Sequence, residues 1–121
     1  MKLFRAPKES LGDLDAEGAA AVIAAAADVA LVLAEDGTIR DVAFGGDELA
    51  AEWQGRWVGR RWTDIVTVES RAKVEAMLAE AASHAAPRWR QVNHPAARGD
   101  DVPVVYATVR VGRGGRMGAI G

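Results

Sequence analysis

The sequence predicts an α+β fold, in which a five-stranded antiparallel sheet carries helices on one face and an extra amphipathic helix precedes it. Two short apolar runs, residues 29–33 and 39–44, flank the pair Asp36-Gly37. This pair is a strong hairpin signal because a tight primed turn requires positive φ angles. A long helical pattern follows the hairpin, and apolar residues with a period of two follow that helix, which indicates further strands.

The composition limits the protein to one domain and excludes several kinds of site. The chain has 121 residues, half of them hydrophobic, which is enough for one core. It has no cysteine, so disulfides, thiolate zinc sites and flavin–cysteinyl adducts are excluded. It also has neither an apolar run long enough to span a membrane nor a signal peptide, because acidic residues follow the basic N-terminus. These features predict a cytoplasmic protein without a membrane partner.

Charge is distributed unevenly along the chain. Residues 1–55 carry 4 basic and 11 acidic side chains, whereas residues 56–121 carry 11 basic and 6 acidic ones. The two halves could interleave in the fold and neutralise each other. They could also form faces of opposite sign that meet between subunits or attract a charged partner. The sequence leaves both interpretations open.

The N-terminal part divides into an arm and a helix. Residues 1–12 are predicted to be a mobile arm, and residues 13–28 a helix that Asp13 or Asp15 caps. The helix could cover its own domain or form a dimer interface, since it lies outside the hairpin-led core. The dimer-interface candidates share one helical stripe or its edge: Leu14, Gly18, Val22 and Ile23.

Residues 29–121 are predicted to form the core domain, as a C-terminally truncated piece of a longer protein. A long helix is expected from a cap at Thr67 to about His84, and Pro87 ends it. Strands are predicted at 89–93, 102–111 and from 117 onward, with Val105, Ala107 and Val109 on the apolar face of the longest. The predicted buried set is Leu31, Leu33, Ile39, Phe44, Ile65, Val74, Leu78, Val105, Val109 and Ile120.

Three of the four tryptophans lie between the hairpin and the long helix. Trp53, Trp57 and Trp62 are interpreted as core and lid, with a ligand cage as the alternative. Together with Met77 of the long helix, they are the candidates for lining or covering a pocket.

No set of residues indicates an enzyme. The two histidines, His84 and His94, lie in different elements, and Ser83 cannot pair with His84 because neighbours on a helix point apart. His84 is the candidate if haem is bound, although no cofactor is predicted, and flavin is a further alternative. His94 is expected to shape a turn. Arginines cluster at 56, 60 and 61 without a helix-turn-helix pattern, which favours an acidic protein surface over DNA as their partner.

The order of the predicted elements resembles that of a PAS domain. More specifically, the chain from about residue 13 to 121 resembles the N-terminal PAS domain of the PpsR/CrtJ repressors of photosynthesis genes. The matching segments are residues 25–33, 57–73 and 92–94. The most specific motif is Gly59-Arg60 followed by Thr67, Glu69, Ser70 and Lys73.

This resemblance implies a regulatory module of a redox- and light-responsive transcription factor. Such repressors oligomerise through their PAS regions and read DNA through a C-terminal helix-turn-helix, which has no match in this chain. Their redox-sensitive cysteines have no counterpart here either. The implied partners are therefore a second copy, as a homodimer or higher oligomer, and an antirepressor protein. The alternative is a domain of another signalling protein that binds haem, flavin or a metabolite.

Overall fold

The computed structural model describes residues 2–83, 85–111 and 117–121, without the side chains of Met117, Ala119 and Ile120. The helices are α1 (Pro7–Ser10), α2 (Ala16–Ala26), α3 (Asp47–Trp53) and α4 (Arg71–Ala82). The strands are β1 (Val29–Leu33), β2 (Ile39–Phe44), β3 (Arg90–His94), β4 (Val102–Arg110) and β5 (Met117–Ile120). Two 3-10 turns, Trp62–Ile65 and Val68–Ser70, precede α4. The segment predicted as an arm contains the single helical turn α1.

The strands lie in the order β2-β1-β5-β4-β3, and every neighbouring pair is antiparallel. The predicted α+β class with antiparallel strands is therefore confirmed. β1 and β2 have the predicted bounds. Because β5 inserts between β1 and β4, the end of the chain pairs with its first strand, and the two hairpins become one sheet.

The β1–β2 hairpin has a wider turn than the predicted two-residue one. The Gly37 amide donates to the Ala34 carbonyl (2.9 Å), and within this loop only Gly37 has a positive φ, at 88°. This arrangement fits a turn closed by one left-handed glycine, and the register shifts between Val32 and Leu33. The Asp36 carboxylate accepts from the Thr38 amide (3.0 Å), which fixes the loop and lowers the pKa of Asp36.

The core lies between the sheet and the segment from α3 to α4. Of the predicted set, Leu31, Leu33, Ile39, Ile65 and Val74 are buried, and Phe44 and Leu78 are half-buried against them. The Ile120 side chain lies outside the described residues.

The predicted face of β4 was wrong. Val104, Tyr106 and Thr108 face the core, whereas Val105 is 47% exposed and Val109 only half-buried on the opposite face. Both faces of this strand are rich in apolar residues, so a period of two does not identify the inner one. The pairing of β4 with β3 decides it, because Val92 and His94 are both buried and lie opposite Val104 and Val102.

The free edge of β3 is covered by the chain that leads into α4. The Asn93 carbonyl accepts from the Thr67 amide (2.8 Å), and the Asn93 amide donates to Ser70 Oγ (2.9 Å). Lys73 Nζ donates to the Gln91 carbonyl (3.2 Å). These bonds fix the start of α4 against the sheet and satisfy edge groups that another strand could otherwise pair with.

Candidate functional site

The N-terminal helix lies outside the core. Asp15 caps it, since its Oδ1 accepts from the Gly18 amide at 2.7 Å. Within the described part of the chain, α2 has no buried side chain. Of the predicted interface residues, Leu14, Val22 and Ile23 are exposed, with Val22 at 59%, and Gly18 is half-buried. The helix therefore presents its apolar side chains to solvent.

The end of α2 is held firmly despite this exposure. The Gly45 amide donates to the Asp28 carbonyl (2.9 Å), and a Cβ at position 45 would lie 2.1 Å from the Ala27 carbonyl oxygen. Such a contact is far inside van der Waals range, so only glycine permits this close packing. The direction in which α2 leaves the sheet is thus set by the β1–β2 hairpin.

The outer face of the sheet, opposite the core, is also apolar. Val32 lies opposite Gly118, which in turn lies opposite Val109, so an uncharged row crosses three strands and ends at Asp41 on the edge strand β2. Three valines of this face are exposed: Val32 on β1, Val105 on β4 and Val111, which directly follows β4. We call Val32, Val105, Val109 and Val111 the outer valine face. A valine-rich face next to an unburied apolar helix is typical of an interaction surface.

The four residues predicted to line or cover a pocket belong to the core, and two of them, Trp53 and Trp57, also line a surface cleft. Trp53, Trp57, Trp62 and Met77 are all buried. Trp53 stacks on Trp57 with 4.7 Å between ring centroids, and Trp62 meets Tyr106 edge-on at 5.1 Å. These rings fill space between the sheet and α4 with close aromatic contacts.

His94 is the central polar residue of this aromatic cluster, and the expectation that it shapes a turn was wrong. Its ring stacks on Trp57 at 4.7 Å and is fully buried at the end of β3. Nδ1 lies 2.8 Å from the Ile65 carbonyl, and Nε2 lies 2.7 Å from the Tyr106 hydroxyl. A carbonyl only accepts, so Nδ1 carries the proton and the Tyr106 hydroxyl donates to Nε2.

Burial keeps this pair uncharged. It lowers the pKa of His94 to about 4, against the opposing effect of the Ile65 carbonyl, and it raises the pKa of Tyr106. Both ring nitrogens of His94 are already bonded, so neither offers a lone pair to a metal. The alternation of Val92 and His94 along one strand was the only sequence signal for this role.

We expect Tyr106→Phe to lower the free energy of unfolding by about 1–3 kcal/mol, because it leaves the buried Nε2 of His94 without a donor. Thr108→Val is a matched control on the same face of β4. Among the described residues, the buried Thr108 hydroxyl has no hydrogen-bond partner, so its removal should be neutral or stabilising. Urea denaturation at neutral pH measures both. Equal losses in the two variants would contradict the assigned His94–Tyr106 bond.

His84 lies outside the described residues. Within the described ranges, no group of three or more histidine or acidic side chains could hold a metal ion. No helix of the described chain is both long and apolar enough to cross a membrane.

Residues 23–121 match the family model described as the PAS fold. The chain belongs to the PAS family. Solved PAS structures agree with this assignment. A PAS domain of an HTR-like protein from Haloarcula marismortui is 19% identical, with a TM-score of 0.65 over 96% of this chain and 97% of that one. A domain of a sensory box sensor histidine kinase/response regulator from Geobacter sulfurreducens is 15% identical, with a TM-score of 0.67 over 86% and 90%. No curated protein matches the chain.

Proposed function

We propose that this PAS domain is a non-enzymatic regulatory module that associates with a second copy through α2 and the outer valine face. The single observation that carries the proposal is the apolar surface of α2, where Val22 and Ile23 are exposed and no side chain is buried by the described part of the domain. Burying such side chains against a partner removes them from water, at about 25 cal/mol per Å². Because the edge of β3 is already covered, pairing of a partner's strand with that edge is a poorer route to assembly.

The finer proposal is that this module serves a transcriptional repressor resembling the PpsR/CrtJ family. Its support is the sequence resemblance across residues 25–33, 57–73 and 92–94. The Geobacter sulfurreducens neighbour, a domain of a sensor kinase, supports a role in signalling more generally. In this proposal an antirepressor protein is a second partner, the protein is cytoplasmic, and contact with DNA belongs to other parts of such a repressor.

We expect Val22→Asp to convert the dimer to a monomer, because a lone carboxylate would have to be desolvated in the interface. Val105→Asp should do the same if the outer valine face takes part. Sedimentation velocity measures the mass of each variant. Val68→Asp is the matched control, since Val68 is 69% exposed in the turn before α4 and should leave the mass unchanged. A dimeric Val22→Asp protein would count against the proposed interface.

One observation favours the alternative of a small-molecule sensor. Within the described part of the structure, Trp62 Nε1 and Thr108 Oγ1 are buried without a hydrogen-bond partner. A bound ligand with hydrogen-bonding atoms would satisfy groups of this kind. Mass spectrometry of the denatured purified protein tests for a colourless ligand, and its absorbance spectrum tests for haem or flavin. A Soret band would overturn the preference for a module without a cofactor.

A further inference from the structure

A surface cleft lies between α3, the chain that follows it and the loop after β3. It has a volume of about 300 Å³, within the range of small-molecule sites. Trp53, Trp57 and Ile65 form its apolar floor, and residues 95–97 form one wall. Glu52 holds that wall in place, because its Oε1 accepts from the Ala97 amide at 2.7 Å. The floor of the cleft is therefore the outer side of the aromatic core.

Charges of both signs line this cleft. Arg56 and Arg60 contribute two guanidinium groups, and Glu52 and Asp64 contribute two carboxylates. In the described part of the chain the one ion pair is Arg90–Glu80, so neither cleft arginine has a carboxylate within ion-pairing distance. Within the described residues, the Arg60 guanidinium donates only to the Asp64 backbone carbonyl, at 3.2 Å, which brings the two residues together and leaves the Asp64 carboxylate unbonded.

We propose that this cleft binds a small zwitterion of the amino-acid type, with an apolar side chain. The guanidinium groups of Arg56 and Arg60 hold its carboxylate, since charge-assisted bonds of this kind are the strong ones. The Asp64 carboxylate and the free oxygen of Glu52 hold its ammonium group. The side chain lies against Ile65 and Pro95. A simple anion would meet the two acidic groups, and a simple cation the two arginines, so the cleft favours a ligand with both charges.

The ligand would contact the rings that support the buried histidine. Trp57 forms part of the floor and stacks on His94, and the Ile65 carbonyl accepts from His94 Nδ1. A ligand bound in the cleft would therefore contact residues that pack against His94, where β3 meets the turns before α4. This proposal goes beyond self-association and is independent of it, because none of the cleft residues lies on α2 or the outer valine face.

Titration of the ¹⁵N-labelled protein with L-leucine at neutral pH tests the proposal. We expect shifts of the amide signals of residues 52–65 and of Ala96 and Ala97. 4-Methylpentanoate lacks the ammonium group and 3-methylbutylamine lacks the carboxylate, so each should bind at least ~10-fold more weakly. Arg60→Gln should weaken leucine binding by a similar factor. Arg88→Gln, which changes an exposed arginine outside the cleft, should leave it unchanged.

Three results would overturn the proposal. They are no shifts at ~10 mM L-leucine, shifts confined to other residues, and binding of 4-methylpentanoate as tight as that of leucine. Asp64→Asn gives a second test, because it should reduce the preference for leucine over 4-methylpentanoate while Arg56, Arg60 and Glu52 remain. The Val22→Asp protein should bind leucine as the wild type does. Its loss of dimerisation and a loss of leucine binding are thus separate outcomes.

Discussion

Replacing Trp62 by alanine should lower the free energy of unfolding by about 3–5 kcal/mol, the range for truncating a large buried aromatic side chain. Trp62 is fully buried in the turn before α4 and meets Tyr106 edge-on. The truncation removes this contact and leaves a cavity at the centre of the core, where the sheet and α4 cannot close the gap without moving. Urea denaturation at neutral pH measures the loss.

Trp89→Ala is the control for this prediction. Trp89 is 62% exposed just before β3, so its truncation should change the free energy of unfolding by no more than ~0.5 kcal/mol. Similar losses in the two variants would mean that Trp62 is not enclosed by the core as described.

Acid should destabilise the protein by about 3 kcal/mol through His94 alone. Its pKa is about 4 in the folded protein and 6.5 in its unperturbed state. Between these values the unfolded chain binds more protons than the folded one, so stability falls as the pH falls. The contribution is complete above about pH 6.5 and is lost progressively toward pH 4. Denaturation midpoints measured between about pH 4 and pH 6.5 report how the free energy of unfolding changes with pH.

The double variant His94→Leu/Tyr106→Phe separates His94 from other titrating groups. It removes both side chains of the buried bond, and the Ile65 carbonyl that loses its donor does not titrate. The slope between pH 6.5 and 5 should therefore be smaller in this variant than in the wild type. His84 is present in both proteins, and its effect cancels in the comparison. A wild-type stability that stays constant down to pH 4.5 would contradict a buried neutral His94.

Local signals predicted much of the fold. Two short apolar runs and the Asp36-Gly37 pair located β1 and β2, because a turn glycine between such runs is sufficient to define a hairpin. Asp15, one of the two residues expected to cap the N-terminal helix, does so. The predicted start of α4 at a Thr67 cap was wrong, since a 3-10 turn at Val68–Ser70 precedes the helix and the Thr67 hydroxyl donates to Ser70 Oγ instead of capping it.

Features that depend on contacts between residues far apart in the sequence could not be predicted from local patterns. The inner face of β4 depends on its register with β3, because apolar residues occupy both of its faces. His94 reaches its two partners, Ile65 and Tyr106, across 29 and 12 positions of sequence. Neither partner is marked by a local motif. The cleft is missed for the same reason, since its wall, residues 95–97, follows α3 only after the whole of α4, although its four charged residues lie close together between positions 52 and 64.

The apolar surface of α2 and the outer valine face carry the central claim, which is that this PAS domain works as an assembly module. Sedimentation equilibrium of the wild-type domain over a wide concentration range tests it most directly. We predict a reversible transition from monomer to dimer, with the dimer as the main species at the higher concentrations. A single monomeric mass at every concentration would contradict the claim.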